Sequence, residues 1–214
     1  MVTTFLSDVQ LENSAARLLG RHEALYGEVD CPPVPVEDIL EDVLDLSILW
    51  DTIQEEPDQS ILAELNPDSR RVVFNEARQD LITETPGLYQ TILGHEAGHW
   101  EVHVDKGQVH QLALSGMEPS VKCLYRSSGP GQAPQEIQAH RFMGFLLMPS
   151  RLLFEAIRDV DLLSWRELYS LREEFQVTIT ALKVRLERLG LLYISKDGLL
   201  YPSRQEYEGQ IRLS

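Results

Sequence analysis

Apolar residues recur at helical spacing from the start of the chain. Leu11, Ala15, Leu18, Leu19 and His22 fall on one side of a segment running from Ser7 to Tyr26, which predicts a helix. His22 is read as a surface position of that helix. Pro32, Pro33 and Pro35 then break the chain, and Val36, Ile39, Leu40, Val43 and Leu44 resume helical spacing with Pro35 in the first turn. Residues 46–50 read as a short strand. Residues 60–65 and 71–75 are two more, joined as a hairpin by the turn residues Asn66, Pro67 and Asp68. Thr85 followed by Pro86 predicts an N-cap and first turn for a helix reaching about residue 103. Residues 107–133 are loop-rich around Ser127, Ser128, Gly129, Pro130 and Gly131. A helix restarts near Pro134 and stops before Pro149. Beyond Arg151 the pattern is helical, with residues 165–175 and 179–189 forming a helix-turn-helix pair. Residues 191–195 and 199–201 flank Lys196, Asp197 and Gly198 as a second hairpin. The pattern predicts an α+β chain with a domain over residues 1–150 and a helical, winged-helix-like region over 151–214.

The chain has 214 residues, 43% hydrophobic and 25% charged, an ordinary globular balance. No apolar run approaches the 18 or so residues of a membrane span, and no secretory leader is evident. Two cysteines, Cys31 and Cys123, make no CxxC pair, so a reducing, cytoplasmic setting is expected. The net charge of −15 is unevenly spread. Residues 1–107 hold 22 acidic and 6 basic side chains, whereas residues 108–214 hold 12 and 13. The front half should repel nucleic acid and anionic membrane. Within 165–189, Arg166, Arg172, Lys183, Arg185 and Arg188 are nearly cancelled by Glu167, Glu173, Glu174 and Glu187, so no direct nucleic-acid partner is expected.

The chemistry concentrates at His95-Glu96-Ala97-Gly98-His99. On a helix, positions i and i+4 share a face, so both imidazoles reach one cation, and Glu96 flanks the water that such a cation would hold. This is the HExxH arrangement of zinc peptidases. With 6 His among 214 residues, shuffled chains of this composition contain it in about 1–2% of cases, so the motif alone is moderately specific. Gly94 and Gly98 each cost a helix roughly 1 kcal/mol relative to alanine, which is tolerable where another backbone packs closely. Catalytic zinc takes three protein ligands. The metzincin pattern would need glycine at 102 and histidine at 105, but the chain has Val102 and Asp105. His103 lies a further turn along, about 6 Å of rise from His99, and is read as a residue supporting the ligands without binding the metal or as a helix C-terminal histidine. The third ligand then falls to the downstream helix, where Glu136 and His140 share a face. Glu136 would complete a His, His, Glu set, and His140 is a competitor for the metal.

The run Glu136-Ile137-Gln138-Ala139-His140-Arg141-Phe142, followed by Leu146-Leu147-Met148-Pro149, resembles the ExxANxFA…LLMP signature of the ImmA/IrrE family of metallopeptidases. That family pairs it with an upstream HExxH and a histidine four residues on, as His103 is here. The resemblance extends to Val34-Pro35-Val36-Glu37-Asp38-Ile39, to Arg126-Ser127-Ser128 and to the stretch from Phe175 through Leu191. His140 departs from it, since asparagine is usual there.

The resemblance implies a zincin-like fold, a short twisted sheet packed on the HExxH helix. It implies zinc held by His95, His99 and Glu136, with Glu96 as catalytic base. It also implies endopeptidase action on a protein substrate, a small helix-turn-helix repressor. Tyr125, Arg126 and His140 are candidates for stabilising the oxyanion, and a substrate strand is expected along a sheet edge at residues 71–75. Two other readings compete: a metal-stabilised module that captures a repressor without cutting it, and a DNA-binding regulator using residues 165–201.

Overall fold

The computed structural model describes residues 5–55, 60–104 and 134–211. The first helix, α1 (Asp8–Tyr26), opens with a capping box in which the Ser7 hydroxyl accepts from the Gln10 amide and the Gln10 side chain accepts from the Ser7 amide. Its buried face is Leu11, Ala15, Leu18, Leu19 and His22. His22 is therefore a core residue rather than a surface one, only 3% exposed. It lies one turn beyond Leu18 on the same face, and its ring packs on Tyr26 with centroids 4.9 Å apart. A short turn, α2 (Val36–Asp38), widens into a π-turn over Ile39–Val43.

Strands β1 (Ser47–Asp51), β2 (Ala63–Asn66) and β3 (Arg71–Asn75) form one sheet in the order β1-β3-β2. The expected hairpin is present: Ala63 pairs with Phe74 and Asn66 with Arg71, antiparallel. β1 runs parallel to β3, Ser47 opposite Arg71 and Asp51 opposite Asn75. β3 is thus the central strand, with backbone partners on both sides. It is not available as an edge for a substrate strand; the edges are β1 and β2. Phe74 stacks between Trp50 (centroids 5.0 Å) and Tyr89 (4.8 Å), tying the sheet to the following helices.

A short helix that the periodicity did not predict, α3 (Gln79–Glu84), follows β3. Thr85 caps its C-terminal end. Helix α4 (Leu88–Val102) is capped by Gly87 in the left-handed conformation, φ 75°. The Thr85-Pro86 pair is therefore a turn between two helices, not an N-cap. A side chain at residue 87 is also excluded sterically, because its Cβ would lie 2.2 Å from the Val177 backbone.

Helix α4 is buried on every side from Thr91 through Trp100. It packs on α5 (Pro134–Leu147), which in turn packs on α1. Helices α6 (Ser150–Ala156), α7 (Trp165–Phe175) and α8 (Ile179–Arg188) follow, and α7 and α8 make the expected helix-turn-helix pair. The Thr178 hydroxyl caps α8 by accepting from the Ala181 amide, and the Thr178 amide donates to the hydroxyl of Thr91 in α4. Strands β4 (Tyr193–Ile194) and β5 (Leu200–Tyr201) form the predicted second hairpin. A last helix, α9 (Arg204–Ile211), follows it. One continuous apolar cluster runs from Leu11 through Val72, Ile92 and Phe142 to Leu192. No helix among the described residues is long and apolar enough to cross a membrane.

Candidate metal centre

A helix buried all round seldom carries charge. In α4, His95, Glu96 and His99 are nevertheless 1%, 1% and 3% exposed. What makes room for them is the close approach of α5. A Cβ at residue 98 would lie 2.9 Å from the Ala139 carbonyl oxygen, and one at residue 94 would lie 2.9 Å from a Leu147 methyl. The two glycines bring α5 down onto α4, Gly98 against backbone and Gly94 against side chains, as expected of glycine inside a helix at a close contact.

That approach delivers Glu136 to the histidines. The Nε2 atoms of His95 and His99 are 3.0 Å apart, and each is 3.3 Å from a Glu136 carboxylate oxygen. Among the described residues these three form the group whose ligand atoms could hold a metal ion, all within 4.8 Å of one another. The spacings fit. Ligands about 2.0–2.1 Å from a tetrahedral ion lie about 3.3 Å from one another. The protonation states fit too. Burial pushes the His95 imidazole down to about 3, so it is neutral near pH 7 with a lone pair to give. Burial alone would raise the Glu136 carboxyl, but the imidazole nitrogens facing it outweigh that and hold it well below the usual carboxylate range. Two imidazoles and one carboxylate converging on one point are a donor set for a divalent cation.

Glu96 is buried beside His95 but is not one of the three converging groups. His103 ends α4, and its Nε2–H donates to the Gln135 carbonyl, 3.0 Å away, which ties the end of α4 to the first turn of α5, where Glu136 lies. It is the helix-terminal histidine expected. Burial lowers its pKa, as it does that of His140. The His140 ring packs 4.3 Å, centroid to centroid, from that of His95, so it adjoins the cluster without joining it. Tyr125 and Arg126, and the Arg126-Ser127-Ser128 resemblance, lie outside the described residues. The pattern of the sequence did not reveal that a cavity of about 290 Å³ opens beside His140, between α5 and α8. Gly144 in the middle of α5 was its one trace in the sequence.

No protein-family model matches the chain, and no curated protein matches it. Among solved structures, a Mycobacterium tuberculosis transcriptional regulator is similar in fold, with a TM-score of 0.51 at 14% identity. The likeness covers 92% of this chain and 55% of that one, so the chain spans about half the length of that structure. This chain has a mixed α+β architecture, and at that identity the likeness is one of fold alone.

Proposed function

We propose that this chain is a zinc-dependent endopeptidase with a zincin-like fold, related in mechanism to the ImmA/IrrE metallopeptidases, and that it cuts a small helix-turn-helix repressor. The observation that carries the proposal is the convergence of His95, His99 and Glu136, with buried Glu96 next to His95 in the chain. Imidazole and carboxylate donors suit zinc. When bound, zinc supplies Lewis-acid polarisation and an acidified water. The protein's own residues do the rest. His95 and His99 offer ring nitrogens, and Glu136 supplies one negative charge. Glu96 accepts a proton from the attacking water and returns it to the leaving amine. His140, whose ring packs on that of His95, would donate to the developing oxyanion.

A base held beside the ligands supports cleavage over capture, because a purely structural zinc site has no use for one. The substitution Glu96→Gln keeps the side chain's size and leaves the ligands intact. Zinc content should be unchanged while cleavage of the candidate repressor falls about 10²–10⁴-fold. His99→Ala should lose both metal and activity. Equal cleavage by wild type and Glu96→Gln at equal zinc content overturns the role of Glu96. Absence of cleavage by zinc-loaded wild type favours the capture module.

A further inference from the structure

Helices α4 and α5 stay in contact past the ligand cluster and run antiparallel. Gly98 meets Ala139, and Gly94, one turn earlier, meets Met143 and Leu147. One turn before His95, Thr91 faces the cavity of about 290 Å³ described above, whose walls include Ile137, His140 and Gly144 of α5 and Ala181 and Val184 of α8. His140 belongs to both places, since it lines the cavity and packs on the His95 ring. A helical turn advances about 5.4 Å, and an extended peptide advances about 3.3–3.6 Å per residue. The cavity therefore begins within one or two peptide residues of the ligand cluster.

Its walls are mainly apolar, and its rim is cationic. Arg141 and Arg188 both line it and share one carboxylate, that of Asp8, at 3.0 and 3.2 Å. The Arg141 Nε–H is buried with no acceptor among the described residues. A carboxylate arriving at this rim meets two guanidiniums held by a single acidic partner. Gly144 faces open space, for a Cβ built there meets no atom within 4 Å.

We infer that this cavity is a specificity subsite, taking a large apolar side chain next to the scissile bond with an acidic residue following it over Arg141 and Arg188. This rests on the peptidase reading, and the test separates the two. Hydroxamates of the form HONH–CO–CH2–CH(R)–CO–Xaa-amide anchor to a metal centre and lay R alongside it whether or not the protein cuts anything. The zinc-loaded full chain is titrated by calorimetry with R as hydrogen, isobutyl or benzyl and Xaa as Glu or Lys. Burying a Leu- or Phe-sized group corresponds to about ten- to hundred-fold in affinity. Isobutyl or benzyl should bind at least ten-fold tighter than hydrogen, and Glu should be preferred to Lys. Gly144→Leu should fill the cavity and remove the side-chain gain while leaving zinc content and the affinity for R as hydrogen unchanged; Gly144→Ala should keep most of the gain and shows that the helix tolerates substitution. A flat side-chain series, or one that survives Gly144→Leu, overturns the subsite, and a preference for Lys overturns its acidic part. A parallel assay of peptide cleavage decides the other question. The side-chain series without cleavage of any peptide removes the peptidase reading and leaves the subsite, and cleavage without the series does the reverse. A protein that takes up no zinc, or binds no hydroxamate when loaded, overturns both.

Discussion

Gly98 is where the local cost of a residue and the geometry of the site meet. Alanine there would gain roughly 1 kcal/mol of helix propensity, but its Cβ would sit 2.9 Å from the Ala139 carbonyl oxygen, and backbone does not yield cheaply. The helix carrying Glu136 must then move away from the one carrying His95 and His99. Gly98→Ala should weaken zinc binding at least ten-fold, measured by competition with a chromophoric chelator. Overpacking should also cost about 1–3 kcal/mol in a denaturant melt. Gly94→Ala meets only side-chain atoms of Leu147 and Met143 and should be milder on both counts. Equal effects at the two positions would show that backbone approach is not what sets the ligand spacing. The two histidines and the purpose of the glycines were legible in the sequence because i,i+4 spacing and helical glycine carry local meaning. Glu136 lies 37 residues beyond His99, and no local periodicity reaches that far. It came from its own motif. His22 was misread because a polar residue on an apolar face gives no sign of whether its ring will be covered.

Among the elements, α1 and the pair α7–α8 were legible from amphipathic faces, the hairpin β2–β3 from its turn residues, and α4 and α5 from the prolines near their ends. The order β1-β3-β2 was not, because parallel pairing of β1 with β3 depends on how the chain between them folds back. Helix α3 buries only Ile82, too little for a pattern. Helix α9 is held by Tyr207 against Tyr193 and Tyr201, contacts that belong to tertiary structure. The end of β3 is fixed by Glu55. Its Oε1 accepts from the Ile61 amide at 2.8 Å, the Asn75 amide group at 3.2 Å and Arg78 Nε at 3.1 Å, while Oε2 accepts from Arg78 Nη2. The Arg78 hydrogen bonds lead in holding its carboxyl below the usual carboxylate range. A group whose folded pKa is depressed contributes stability above its unfolded pKa, about 4.3 for Glu, and loses it as pH falls through the folded value. Glu55→Gln should melt below wild type at pH 6. The gap should narrow as the pH is lowered below about 4. A gap independent of pH between 6 and 3 would show that packing, not ionised Glu55, sets the difference.

For the whole molecule, charge and connectivity decide what the C-terminal helices do. Leu168, Leu171, Phe175, Val177, Leu182 and Leu186 share one apolar cluster with α1, α4 and α5. Arg185, 4% exposed, donates to the Met148 carbonyl, the Ser150 hydroxyl and Glu12, and its guanidinium covers the Phe145 ring at 4.6 Å. Arg188 is paired with Asp8, which it shares with Arg141, and Arg172 with Glu173. A helix-turn-helix followed by a hairpin has the outline of a DNA-binding unit, yet Arg172, Arg185 and Arg188 are turned toward this protein's own carboxylates and Lys183 lies over the Trp165 ring. DNA affinity rests on cations free to neutralise phosphates, and the chain as a whole carries −15. The full chain should bind a random duplex no more tightly than about 10⁻⁴ M at 150 mM salt, read by fluorescence anisotropy. Whatever binding appears at 20 mM salt should vanish on raising it. Removing one inward ion pair should not create affinity: Asp8→Asn frees Arg141 and Arg188, but they remain at the cavity rim beside α5 rather than on a face a duplex could follow. Submicromolar binding at 150 mM salt, by wild type or by Asp8→Asn, would favour the regulator reading over the peptidase.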